Sequence, residues 1–253
     1  MQIPRAAWNN YIKRLSLVST TASALMAAYI NKNGLPETSA QRKAFLDYAN
    51  ALTVKYGEGA AELACEMYDA LAALEGVLIP AAEPAEIVDY GDVAKAINGT
   101  LKTSQNTEII SSIVGRMVKQ ASADTMLQNA KRDKAEWAWI PSGDTCAFCI
   151  TLASRGWQEA KSIKSTHAEH IHSNCDCNYA IRFSKDTNVQ GYDPDEYLEM
   201  YQDADGNSPK AKINALRREF YAQNKEEINA QKRDAYEKRK ERESDKAEEI
   251  NVD

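Results

Sequence analysis

The sequence predicts a mainly α-helical protein with a small α+β segment late in the chain and a charged C-terminal helix. Three observations predict it. Apolar residues recur at steps of three and four through most of the first 134 positions, the spacing of helices that bury one face. Between Glu136 and Phe183 that spacing gives way to alternation, to Pro and Gly, and to paired Cys and His. After Tyr221 the apolar residues thin out, and "EKRKERESDKAEE" is almost all charge. The boundaries are 1–136 for the helical region, 137–183 for the Cys/His segment and 184–253 for the C-terminal helices and charged tail.

Trp8, Tyr11, Ile12, Leu15, Val18, Ala22, Leu25 and Tyr29 form one stripe on a first helix of about 22 residues. Gly34 and Pro36 end it. Thr38 with Gln41 is a capping-box pattern that opens a second helix carrying Phe45, Tyr48, Leu52 and Tyr56. Gly57 reads as a break before a third helix with Leu63, Met67, Tyr68, Leu71 and Leu74. Cys65 lies there with no His or Cys nearby in sequence and reads as a small core residue. "IPAAEPAE" at 79–86 reads as a linker or sharp turn between helical layers. Helical signal resumes near Asp89. Ile109, Ile110, Ile113, Val114, Met117, Val118, Ala121 and Met126 then describe a long amphipathic helix ending around Lys134, its methionines read as core.

Trp137 and Trp139 alternate with smaller residues ahead of Pro141 and Gly143, as in a short strand and turn. "CNYAIRF" alternates Tyr179, Ile181 and Phe183. The two runs, Trp137–Ile140 and Asn178–Phe183, are expected to pair around the Cys/His cluster. Farther on, Asp193-Pro194 with Glu196 starts a helix over "DEYLEMYQ". Gly206, Asn207 and Ser208 turn the chain, and Ser208-Pro209 caps a last helix with Ile213, Leu216 and Phe220 on one face. The charge beyond Tyr221 suits a solvated helix held by opposite charges three and four residues apart.

Composition narrows the function classes. Of 253 residues, 43% are apolar and 27% charged, ordinary for a water-soluble protein. No apolar run approaches the roughly 20 residues of a membrane span, and "MQIPRAAWNNYIKRL" lacks the layout of a signal peptide. The expectation is a chain made in a cytosol and independent of membranes, where closely spaced cysteines are metal ligands or redox groups rather than disulfides. The net charge is −6, and from Lys210 onward acidic and basic residues nearly balance. No broad basic surface follows, which weighs against strong non-specific binding to nucleic acid.

The chemical signal is C-x2-C at Cys146 and Cys149, then 22 residues, then H-x2-C-x-C at His172, Cys175 and Cys177. A two-residue gap lets both side chains of a tight turn reach one tetrahedral zinc ion, and His172/Cys175 repeat that gap. Cys146, Cys149, His172 and Cys175 are the preferred set. An all-cysteine set using Cys177, with His172 behind it, is the competitor, so five candidates contend for four positions. One structural Zn2+ is expected, making 137–183 a zinc-knuckle α+β segment. His167 and His170 are less well placed. A redox C-x-x-C would follow a strand in a βαβ unit, and this chain has almost no such alternation. A catalytic zinc needs an open position and a general base. His167-Ala-Glu169 matches the H-x-E of zinc deaminases, but the C-x-x-C lies upstream instead of downstream. No H-E-x-x-H occurs either. The expectation is a non-enzymatic protein with no small-molecule substrate.

"CAFCITLASRGW" followed by "HIHSNCDCNYAIRF" resembles the zinc-binding segment of tailed-phage minor capsid proteins related to the Mu F-like head morphogenesis family. The resemblance runs from Cys146 to about Phe183 and includes the Leu152–Gly156 run. It implies a minor head protein acting in head assembly, with portal, capsid and scaffold proteins as partners. Such a protein would sit in few copies in the phage head interior near the portal, with packaged DNA as at most a weak contact. Asp176 departs from the basic residue that such proteins often carry between the last two cysteines, which argues against nucleic-acid contact from this loop. The alternative class is a zinc-dependent nucleic-acid-binding or regulatory module, using Lys161, Lys164 and the basic residues of the tail.

Overall fold

Seven α-helices and four short strands make up the described part of the chain, which in the computed structural model comprises residues 1–142, 145–165, 168, 171, 176–226, 229–230, 233 and 237. Helix α1 (Arg5–Asn33) is longer than its apolar stripe suggested and buries Trp8, Tyr11, Ile12, Leu15, Ser19, Ala22, Met26 and Ile30. Past Leu15 the buried line steps onto Ser19 and Met26, leaving Leu25 exposed and Val18 and Tyr29 at the margin. The reason is a close helix crossing. A Cβ on Gly115 would lie 2.8 Å from the Ser19 carbonyl oxygen and 2.2 Å from Ser23 Oγ, so small residues must meet there.

Helix α2 (Ser39–Glu75) starts at the expected capping box, with Thr38 Oγ1 accepting from the Gln41 amide and the Gln41 side chain accepting from the Thr38 amide. It does not break at Gly57. The expected second and third helices are one helix of 37 residues. Gly57 is buried, and a Cβ there would come within 3.2 Å of the Ile87 side chain. Its missing side chain admits a neighbouring segment, a use of glycine that propensity alone reads as a stop. Cys65 is only half-buried and is not part of the core cluster, contrary to the expectation of a small core residue.

Residues 77–89 form an irregular strap rather than a sharp turn, ending at Asp89, whose carboxylate accepts from the Asp92 amide and caps α3 (Tyr90–Leu101). The strap lies along helix α4 (Thr107–Asp133) and is held through its backbone. Asn129 accepts from the Glu83 amide at 3.0 Å and donates to the Glu83 carbonyl at 2.8 Å. Thr125 Oγ1 accepts from the Ala85 amide, Asp69 accepts from the Ala82 amide, and Arg132 donates to the carbonyls of Pro80 and Ala81. Asn129→Ala is expected to destabilise the fold by about 1–2 kcal/mol, since two part-buried hydrogen bonds to the Glu83 backbone are lost together. Hydrogen exchange read at Glu83 and Ala85 checks it, and unchanged protection there would count against the strap's being held this way.

Helix α4 is the central element, packed by α1, α2 and α3 and by the strand pair described next. It is not amphipathic as expected. From Met117 to Ala130 nearly every position is buried, including Lys119, Gln120, Ser122, Asp124, Thr125 and Asn129. At its end Lys134 takes the left-handed conformation (φ 58°), and Tyr68 donates to Asp133 at 2.9 Å. Arg132 beside Asp133 holds that carboxyl below its ordinary range, with Tyr68 helping.

Strands β2 (Glu136–Ile140) and β3 (Asn178–Arg182) pair antiparallel, from Glu136↔Arg182 to Ile140↔Asn178. This is the expected pairing. Between them lies the short helix α5 (Ala147–Ala153). After β3, the Glu75 carboxylate at the end of α2 accepts from the amides of Phe183 and Ser184 at 3.0 and 2.7 Å. Strand β4 (Asn188–Val189) pairs in parallel with β1 (Gln2–Ile3), a long-range contact that local patterns did not indicate. Helices α6 (Pro194–Asp203) and α7 (Pro209–Gln223) start at the expected Asp193 and Ser208 caps. They pack on α5 through Ala204, Ala215 and Leu216. Among the described residues no helix is long and apolar enough to cross a membrane.

Candidate metal centre

The β2–β3 ladder decides where the Cys/His segment begins and ends. Because Ile140 is opposite Asn178, the chain leaves the ladder toward Cys146 at the same end at which it returns from Cys177. Everything between the two halves of the motif is therefore one excursion closed at its base. The far end of the ladder is fixed by Arg182, which pairs with Glu136 at 2.7 Å and donates to the Thr187 carbonyl.

Cys146 caps α5 at its start and is half-buried, while Cys149, one turn on, is completely buried. The C-x2-C pair thus spans the N-cap and the first turn of α5. Cys177 is also buried, and its Sγ accepts a hydrogen bond from the Ser142 amide at 3.4 Å. The turn is tethered by Arg5, which donates to the Pro141 carbonyl at 3.0 Å. His172 and Cys175 lie outside the described residues, as do His167, His170, Asp144 and Glu169. Among the described residues no three His, Cys, Asp or Glu side chains come together as a metal site would require. The three described cysteines thus do not make a centre by themselves. Cys65 stands apart. Burial, with Asp69 and Glu62 nearby, pushes its thiol up to about 11, which keeps it protonated at neutral pH.

The "LASRGW" run proves structural. Leu152 and Ala153 are in the core, the Ala153 carbonyl accepts from the Tyr192 hydroxyl at 2.8 Å, and Gly156 turns the chain at φ 62°. Trp157 then stacks under the Arg182 guanidinium, 4.5 Å from the ring centre, and its indole N–H donates to Asn188 at 3.0 Å. One short run thereby ties α5 to both β3 and β4.

Sequence reasoning missed the part that α4 plays here. Lys119 is almost wholly buried and pairs with Asp176 at 2.9 Å. The acidic residue that departs from the pattern of the resemblance is thus turned onto a cation of the central helix. Asp124 accepts from the Ala168 amide at 2.5 Å, and Gln120 donates both to Asp124 at 2.7 Å and to the Ala168 carbonyl at 2.6 Å. The only sequence signal was a row of polar residues inside an otherwise apolar helical pattern.

A cleft of about 250 Å3 opens beside the ladder, walled by Trp137, Trp139, Tyr179 and Leu152, with Arg155 and Lys164 also lining it. A family model described as "VG15 protein" matches residues 2–204, well over half of the chain. No curated protein and no solved structure matches it.

Proposed function

The chain belongs to the VG15 protein family, and from that premise, which suggests a phage protein, we propose that it is a minor head protein acting in head assembly. In this reading it is a non-enzymatic component of the phage head interior near the portal. Its partners are portal, capsid and scaffold proteins. A single structural Zn2+, held by Cys146, Cys149, His172 and Cys175, closes the excursion between β2 and β3. The observation that carries the reading is that the chain leaves β2 toward Cys146 and enters β3 from Cys177 at the same end of the ladder, in a family match that spans the helical region as well. Zinc would supply cross-linking rather than chemistry, because two cysteines, a histidine and a third cysteine fill a tetrahedron.

Quantitative mass spectrometry of purified phage particles is expected to find the protein in a few copies per head, and to find it also in heads emptied of DNA. Its absence from both would sink the assignment. One feature favours the nucleic-acid reading: the aromatic wall of the cleft stands beside two cations, Arg155 and Lys164, a pairing that suits a stacked base and its phosphate. That reading requires DNA binding that weakens steeply with salt. A gel shift absent at low salt would remove it.

A further inference from the structure

We propose that the groove between α3 and α4 is a docking site for a carboxylate side chain of a partner protein, held by Arg116 with Lys95 as its second cation. The site does not depend on zinc, and it gives the helical region a partner-binding face of its own. The groove encloses about 260 Å3, and its apolar lining is Val88 at the end of the strap, Ala96 of α3 and Met117 of α4. Its charged lining is Asp92 and Lys95 from α3 and Arg116 from α4. Arg116 is half-buried, yet among the described residues it has no hydrogen bond, ion pair or ring contact. Lys95 is exposed and equally unpaired. Elsewhere on α4 the cations that leave water find a carboxylate: Lys119 pairs with Asp176, and Arg132 with Asp133.

A guanidinium stays charged at any ordinary pH, so burying it removes water without removing the charge. Burial lowers the Arg116 pKa accordingly. Such a group gains most from an anion that restores the lost hydrogen bonds, and a carboxylate does so through two parallel bonds. Charge decides which anion fits. Arg116 and Lys95 against Asp92 leave the groove with a net charge of +1, which one carboxylate neutralises. Gln120 also lines the groove but adds no donor, because its amide nitrogen is taken by Asp124 and the Ala168 carbonyl. Glu86 and Asp89, exposed just before and after Val88 in the chain, add negative charge beside it. A nucleic-acid backbone, a polyanion, is repelled there more than a single carboxylate is. The volume lies below the roughly 300–1,000 Å3 of pockets for drug-sized ligands, so it suits one side chain. Because Asp92 and Lys95 are exposed, that side chain can enter from a backbone lying outside the groove.

Titration of the full chain with the blocked peptide acetyl-Ala-Glu-Ala-amide, followed by the amide NMR shifts of Val88, Ala96 and Met117, tests this. Saturable shifts at roughly millimolar peptide are expected, with binding about 10-fold weaker for the same peptide carrying Gln in place of Glu. Arg116→Met should abolish the shifts and leave the melting temperature equal or higher, since it removes a dehydrated charge that bonds nothing. Arg116→Lys should weaken binding several-fold, because an ammonium lacks the guanidinium fork. If Arg116→Met does not fold, Lys95→Met, at an exposed position, decides the matter by weakening binding several-fold. The absence of saturable shifts, equal binding of the Glu and Gln peptides, or shifts that survive the loss of these cations would overturn the site. Inorganic phosphate or acetate binding more tightly than the Glu peptide would overturn its assignment to a protein carboxylate. None of these outcomes bears on the head-protein reading, which the composition of phage particles tests separately.

Discussion

Replacing Cys149 by serine is expected to take bound zinc from about one ion per chain to near zero and to open the excursion between β2 and β3 to proteases. Cys149 is completely buried in α5, three residues after Cys146, so serine there withdraws one of the two thiols at the start of that helix. Structural zinc sites in small peptides are worth about 10–16 kcal/mol in apparent binding free energy, which depends on a full ligand set. The helical core should survive, because α1, α2 and α4 pack chiefly on one another. Elemental analysis combined with limited proteolysis and circular dichroism separates these effects. Zinc bound one-to-one in Cys149→Ser, with unaltered cleavage, would show that this cysteine is no ligand.

The second large effect is expected in the core. Trp8→Ala should destabilise the fold by about 3–5 kcal/mol, the usual consequence of deleting a fully buried large aromatic side chain. Trp8 has no measurable exposure and packs against Tyr11 with ring centres 5.5 Å apart. Its indole N–H, however, is buried without an acceptor among the described residues. A buried donor left unbonded costs about 1–3 kcal/mol, so Trp8→Phe should be far milder than the lost volume alone implies. Urea unfolding curves of the two variants give the comparison. Equal midpoints for Trp8→Ala and Trp8→Phe would show that the indole contributes neither volume nor an unmet hydrogen bond.

Much of this architecture is legible in local sequence. The Thr38–Gln41 capping box, the caps at Asp193 and Ser208, and the pairing of 136–140 with 178–182 all follow from short patterns. Each depends on neighbouring residues and so survives in a one-dimensional reading. Gly57 was misjudged because its role depends on Ile87, thirty residues away, and propensity cannot distinguish a stop from a close approach. Helix α4 was read as amphipathic because its apolar spacing is real. Its polar residues are buried too, and four of them serve the backbone of residues outside the helix. Asn129 and Thr125 do this for the strap, and Gln120 and Asp124 for Ala168. For the candidate site, sequence identified the five ligand candidates, while the Lys119–Asp176 pair became visible only in three dimensions.

The parallel pairing of β1 with β4 also sets an order of events during synthesis. Gln2 and Ile3 leave the ribosome long before Asn188 and Val189, their partners some 185 residues downstream. At about 5–20 residues per second, that is a wait of roughly 10–40 s. During it, α1, α2 and α4 can already pack, because all three have been made before the Cys/His segment emerges. Ile3, fully buried in the finished molecule, lacks its strand partner Val189 until the chain beyond the Cys/His segment arrives. The first strand is therefore among the last pieces to settle, and its docking marks a nascent chain whose Cys/His segment has already been synthesised.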